Sequence, residues 1–511
     1  MLNSRLLLLV AHLVSCSQVS LRTTRQGNWT VGQTVTTSSG PVQGHIADNS
    51  TNVSEYLGIP FAQPPVGELR FQPPVAFHGS ETINGTNFGY ICMQVDMFGN
   101  IPHVQKRVLG KREGTLTPDA LAIIQQYFAG VPPISEDCLT LNIWTKPQVG
   151  ENKKAVLIWI YGGGYSSGNS AVSFYNGKHI AEEQDIVVVS LNYRVNIFGF
   201  PGSETYPAYN LGLLDQRLGI EWVRDNIASF GGDPERITIV GQSAGGGSVG
   251  YHSYAFSDDP IASGYILESA VSLGASSPTR ALASWENVTA VVGCDTADGP
   301  DKCMQLNATA EALLAASGQY GFGPVVDDVV VFADYTTRKP NVGGMLVGNN
   351  DFEPGLNRPL SPPRPDEYWQ QAELAFTCPA AERAAYYALN GNPTWRYRWF
   401  GDWPNLRLAI NPSSGAWHGS EIMPLFNTIP QTVHVNTPEE TSIAAYLRGA
   451  WAAFAKNPAS GLGDYGDGWP QWSTNGDSLI RLAYNNITGT NMITGSYYDD
   501  GCPSYPVVGE A

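Results

Sequence analysis

The sequence predicts an α/β protein built on a central, mostly parallel β-sheet flanked by helices, and three stretches carry that expectation. AVLIWIYGGGY (Ala155 to Tyr165) and DIVVVSLNYR (Asp185 to Arg194) contain continuous apolar, β-branched runs, the pattern of strands buried on both faces. LLDQRLGIEWVRDNIASF (Leu213 to Phe230) then places Leu214, Leu218, Trp222 and Val223 near helical spacing, and GGDPERITIV leads into another strand. Strand, helix, strand is the βαβ unit from which parallel sheets are made.

Taken in order, the chain opens on MLNSRLLLLVAHLVSCSQ, where one arginine precedes the apolar run Leu6 to Val14 and then small residues. That pattern predicts a secretory signal peptide over residues 1–17. The run is far shorter than the roughly 20 apolar residues of a membrane-spanning helix, and no other stretch is long enough. Residues 18–511 are expected to form one domain, with structure beginning near Thr36 and no internal repeat. A content of 42% hydrophobic and 15% charged residues, with 13 Trp and 24 Tyr, supports a large packed core and not disorder. The formal net charge of −17 argues against nucleic acid as a partner, because phosphates are bound by basic surfaces.

Asn-x-Ser/Thr triplets at Asn28, Asn49, Asn52, Asn84, Asn287, Asn307 and Asn486 are available for glycosylation in a secretory compartment. Cys16 falls in the presumed signal, and the remaining Cys92, Cys138, Cys294, Cys303, Cys378 and Cys502 are an even set suited to three disulfides. They contain no C-x-x-C pair, so a zinc site is the poorer reading and no metal or cofactor is expected. In the second half, EPGLNRPLSPPRPDEY (Glu353 to Tyr368) is too rich in proline for a regular helix or central strand. YLRGAWAAFAKNP (Tyr446 to Pro458) reads as a late amphipathic helix stopped by its proline.

The chemistry is expected at ITIVGQSAGGGSVG (Ile237 to Gly250), where Ser243 stands between glycines directly after a strand. A G-x-S-x-G pentapeptide joining strand to helix forms a turn so tight that the serine is strained and its hydroxyl exposed, and flanking side chains would collide with backbone. A serine hydroxyl needs a base to take its proton, and the attacked carbonyl needs donors for its developing charge. IYGGGYSSG (Ile160 to Gly168) follows a predicted strand and offers the N–H groups of Gly163 and Gly164, to which Ala244 adds its own. Among eight histidines, His418 and His434 remain as candidate bases: GAWHGSEIMPLF puts His418 on a loop from which its ring can reach across to another, whereas His434, in QTVHVN, reads as a strand or surface residue. For the orienting acid, MLVGNNDFEPG (Met345 to Gly355) offers Asp351 and Glu353, and the order Ser, acid, His is that of α/β-hydrolases.

At these residues the chain resembles the type-B carboxylesterase family, which includes cholinesterases and certain fungal lipases, over nearly the whole mature chain. YLGIPFAQPPVGELRFQPP (Tyr56 to Pro74), SEDCLTLNIWTK (Ser135 to Lys146) and FGGDPERITIVGQSAGGGSV (Phe230 to Val249) are similar to its signatures, although Lys146 stands where the family usually has proline. The resemblance implies an α/β-hydrolase fold and a triad of Ser243, Glu353 and His418, with Ser248 and Ser269 in supporting positions. It pairs Cys92 with Cys138 and Cys294 with Cys303, which leaves Cys378 and Cys502 to each other. Tyr161 replaces the histidine that often opens the oxyanion loop, and Gln242 stands where cholinesterases have a glutamate. A quaternary ammonium needs an aromatic face and nearby negative charge, and no Trp occurs between Cys92 and Cys138, so choline esters are disfavoured. The stretch VQKRVLGKREG (Val104 to Gly114) is more charged than a membrane-seeking flap, so interfacial lipase action is not favoured either. The expected protein is a secreted serine ester hydrolase acting on a small-molecule ester, with a lipase, a tailoring esterase and a catalytically dead binding protein as alternatives.

Overall fold

The computed structural model describes residues 29–50, 52–95, 114–147, 153–270, 275–296, 299–473 and 478–503; the signal segment, Asn28 and residues 104–113 of the charged stretch lie outside them. Its centre is an 11-stranded sheet. In chain order the strands are β1 (His45–Ile46), β2 (Ser54–Pro60), β3 (Thr140–Thr145), β4 (Lys154–Ile160), β5 (Val187–Leu191), β6 (Gly232–Gln242), β7 (Gly264–Glu268), β8 (Gly344–Asn350), β9 (Thr394–Trp399), β10 (Ser478–Leu482) and β11 (Met492–Thr494). Across the sheet they lie in the order β1-β2-β3-β5-β4-β6-β7-β8-β9-β10-β11. From β5 to β10 every neighbouring pair is parallel, and the antiparallel pairs are confined to the two edges.

The two runs that predicted buried strands become β4 and β5, and every residue of both is buried. Five helices matter to the site: α1 (Pro118–Phe128), α2 (Leu211–Asn226), α3 (Ala244–His252), α4 (Asp366–Leu389) and α5 (Pro438–Lys456). The helix α3 packs on β4, β6 and β7, α4 covers β8 and β9, and α5 lies against β4 and β6. Trp144, Trp159, Trp395, Trp399 and Trp451 are fully buried in this packing. At about 25 cal/mol per Å² of apolar surface removed from water, burying such rings stabilises the sheet from whose strand ends the functional loops emerge.

The helix α5 starts eight residues ahead of the predicted Tyr446, because Thr437 caps it through a reciprocal box with Glu440 and Pro438 occupies its first turn. The proline-dense stretch forms two short 3-10 turns, Glu353–Leu356 and Arg358–Leu360, before α4 begins at Asp366. Cys92–Cys138, Cys294–Cys303 and Cys378–Cys502 are joined as disulfides, with sequence separations of 46, 9 and 124. Asn49, Asn52, Asn84, Asn287, Asn307 and Asn486 are all exposed. Among the described residues no helix is long and apolar enough to cross a membrane.

Candidate active site

Three strand ends meet at one place. β6 ends at Gln242, α3 begins at Ala244, and Ser243 alone makes the turn between them with φ 59° and ψ −121°. A non-glycine residue held there costs on the order of 1–3 kcal/mol and persists only where its surroundings enforce it. They do: the Ser243 N–H donates to the Glu268 carbonyl at 2.9 Å, and the Ser243 carbonyl accepts from the Gly247 N–H at 2.8 Å. A Cβ on Gly245 would run into the carbonyl of Ile160 on β4, so only glycine lets the elbow lie this close to its neighbouring strand.

Beyond β4 the chain turns through Gly162, Gly163 and Gly164. Gly163 has φ 118°, and its carbonyl accepts from the N–H groups of Ser166 and Ser167 at 3.1 Å each, which curls the loop. The N–H groups of Gly163, Gly164 and Ala244 have no acceptor among the described residues. Tyr161, unanticipated as a structural element, braces this loop: its hydroxyl donates to the Tyr193 carbonyl at 2.9 Å, the Tyr193 hydroxyl donates to the Tyr161 carbonyl at 2.9 Å, and the rings stack 4.4 Å apart. Burial pushes both phenols well above their ordinary range, so they stay neutral donors.

From the turn after β8, Glu353 reaches His418, with Oε2 2.6 Å from Nδ1. Its other oxygen accepts the Asn350 N–H at 2.6 Å, and the carboxylate is 1% exposed. The alternative acid, Asp351, turns to Arg398 on β9 at 2.9 Å. The alternative base, His434, is half exposed and pairs with Asp119 at the start of α1, at 2.7 Å. Desolvation lowers the His418 pKa, but the charge and hydrogen bond of Glu353, with the charge of Glu421, outweigh it and leave the ring above its ordinary value. On its far side, His418 Nε2 stands 3.1 Å from the side-chain amide nitrogen of Gln242.

Of the two supporting serines, Ser248 accepts from Gln216 Nε2 at 3.0 Å and donates to the Ala244 carbonyl at 3.1 Å, tying α2 to the elbow. Ser269 is buried and its hydroxyl has no hydrogen-bond partner among the described residues, the His418–Glu353 pair included. Sequence reasoning missed Glu373 on α4, whose Oε2 accepts the Glu353 N–H at 2.7 Å while Arg398 holds its other oxygen at 2.9 Å. It also missed Glu421, which accepts from the side chain of Asn350. Burial, then the neighbouring charge of Glu353, pushes the Glu421 carboxyl up to about 7.

Ser243, Glu353, His418 and the loop glycines open on a cavity of about 730 Å³. Tyr127, Phe174, Tyr175, Trp369, Phe376 and Trp417 supply aromatic walls, and among the described residues Glu353 and His418 are the only charged or titratable acid–base groups on its lining apart from tyrosines. A space of this size and lining suits an organic molecule of moderate size.

The carboxylesterase family model matches residues 31–373. A chlorogenic acid esterase of Aspergillus niger is 34% identical over 97% of this chain and 98% of its own length. Secreted lipase 5 of Gibberella zeae is 30% identical over 91% and 92%, and an acetylcholinesterase of Electrophorus electricus is 34% identical over 63% of this chain and 51% of its own. With an elbow serine, a histidine–carboxylate pair and open backbone donors on a mostly parallel sheet, the chain belongs to the carboxylesterase family of α/β-hydrolases and is a carboxylic ester hydrolase.

Proposed function

We propose that the protein is a secreted serine esterase working through an acyl-enzyme on Ser243. The contact of His418 Nδ1 with Glu353 Oε2 at 2.6 Å carries this reading, because it leaves Nε2 as the ring's lone pair on the side of the elbow. Ser243 Oγ attacks the ester carbonyl as His418 Nε2 takes its proton, and the N–H groups of Gly163, Gly164 and Ala244 receive the oxyanion. His418 returns the proton to the departing alcohol. Water, deprotonated by the same nitrogen, then attacks the acyl-enzyme, frees the acid and restores the serine. Glu353 holds the ring and balances its transient charge.

The aromatic cavity, with no charged group on its described lining beyond Glu353 and His418, favours esters carrying a ring or another bulky apolar group, in keeping with a relative named for chlorogenic acid. The same apolar walls, with a lipase among the relatives, support a second reading as a lipase. Acyl-chain and aryl-ester profiling separates the two: preference for aromatic acyl groups favours the first, preference for long chains the second. The three disulfides and six exposed acceptor asparagines support export through the segment 1–17. Replacing Ser243 with alanine tests the nucleophile. Hydrolysis of a p-nitrophenyl ester should vanish together with labelling by a fluorophosphonate, and unchanged turnover would refute the mechanism.

A further inference from the structure

Gln242 ends β6 beside the elbow and is 5% exposed. Its amide is wedged between the two loops of the site. The oxygen lies 3.0 Å from where a Cβ on Gly162 would stand, and the nitrogen lies 3.6 Å from the corresponding point on Gly419. A side chain on Gly162 would press on the amide oxygen, and on the Gly419 side the nitrogen sits at ordinary van der Waals distance. From that wedge the nitrogen reaches His418 Nε2 at 3.1 Å, while the Ser243 hydroxyl has no hydrogen-bond partner among the described residues.

The chemistry of the contact is set by the other end of the ring. Glu353 accepts the Nδ1–H hydrogen bond, so Nε2 is a lone pair and the Gln242 N–H donates to it. We infer that Gln242 is a positioning residue for the base: its amide holds the Nε2 lone pair of His418 in the free enzyme and releases it to the Ser243 hydroxyl when an ester enters. This rests on the triad proposed above. The donated hydrogen bond favours the neutral imidazole, because a protonated Nε2 would set one donor against another. It opposes the two charges that face the ring, the carboxylates of Glu353 and Glu421, both of which favour the imidazolium. A glutamate at position 242 would reverse the effect by offering an acceptor and a third negative charge.

The test is the acid limb of kcat/KM for a neutral p-nitrophenyl ester in wild type, Gln242→Met and Gln242→Glu. Methionine keeps the volume and removes the donor, and should raise the midpoint by about half a pH unit. Glutamate should raise it by about one to two units. A residue that only filled space would change melting temperature and leave the midpoint alone. The order Gln, Met, Glu from lowest to highest supports the inference, and coincident or reversed midpoints overturn it. Ser243→Ala, measured alongside, separates this from the proposed mechanism: if that variant is inactive while the three midpoints coincide, the role of Gln242 fails and the triad stands.

Discussion

Replacing Glu353 with glutamine should abolish most activity without removing any volume, and the reason lies in which atoms the carboxylate serves. One oxygen accepts the Asn350 N–H at 2.6 Å and the other accepts the Nδ1–H of His418 at 2.6 Å. Glutamine has one oxygen and one amide nitrogen. The Asn350 N–H is an unconditional donor, so the oxygen must stay there and the nitrogen must face Nδ1. Two donors cannot meet across that gap, and the imidazole answers by moving its proton to Nε2, with the Gln242 amide turning its oxygen to that nitrogen. The atom that should take the serine proton then already carries one. The corresponding change in a serine-protease triad lowers kcat by roughly 10⁴, or about 5.4 kcal/mol at 1.36 kcal/mol per decade. Steady-state hydrolysis of p-nitrophenyl butyrate measures the loss, and a melting curve shows whether the variant folds. A folded Glu353→Gln enzyme that keeps more than about a tenth of wild-type kcat would refute the tautomer argument.

Since the carboxylates facing His418 hold its pKa above the ordinary 6.5 and a protonated ring cannot act as base, kcat/KM should fall as pH drops through a midpoint above that value; a midpoint below about 6 would contradict the charge balance. Gly163→Ala forces a side chain into the Ser167 carbonyl at φ 118°, and kcat should drop by about 10² to 10³ with KM little changed, as read by initial rates. Replacing Cys378 and Cys502 with serine releases a cross-link spanning 124 residues, worth up to about 5 kcal/mol in the chain-entropy account, so denaturant midpoints should fall while kcat of the folded fraction persists. Glu421 has a folded pKa raised from 4.5 to about 7, so the stability linked to its proton is present below 4.5 and lost as pH rises through 7. Glu421→Gln should therefore flatten the decline of melting temperature between about pH 5 and 8, and an unchanged slope would count against a raised Glu421 pKa.

The parts of the site that were legible in the sequence are those enforced by local sterics. Gly241 and Gly245 around Ser243, and Gly162 and Gly163 after β4, occur where the backbone passes too close to its neighbours for any side chain, and such constraints are written in consecutive residues. The strands β4 and β5 were legible for a related reason, since burial on both faces demands an unbroken apolar run. What local sequence could not resolve depends on pairing between distant segments. Asp351 and Glu353 follow the same strand two residues apart and are equal candidates until β9 is laid beside β8, which brings Arg398 to Asp351 and leaves Glu353 for His418. Glu373 is the same kind of case, for its value lies in holding the Glu353 N–H from 20 residues away, inside a helix that continues through Pro379 against its local preference. Tyr161 looked like a lost histidine, yet across the sheet end it exchanges hydrogen bonds with Tyr193 and stiffens the loop whose donors the chemistry requires. The reactive residues of this fold are marked by what the backbone cannot tolerate, and their orientation is decided by partners that only the closed sheet brings within reach.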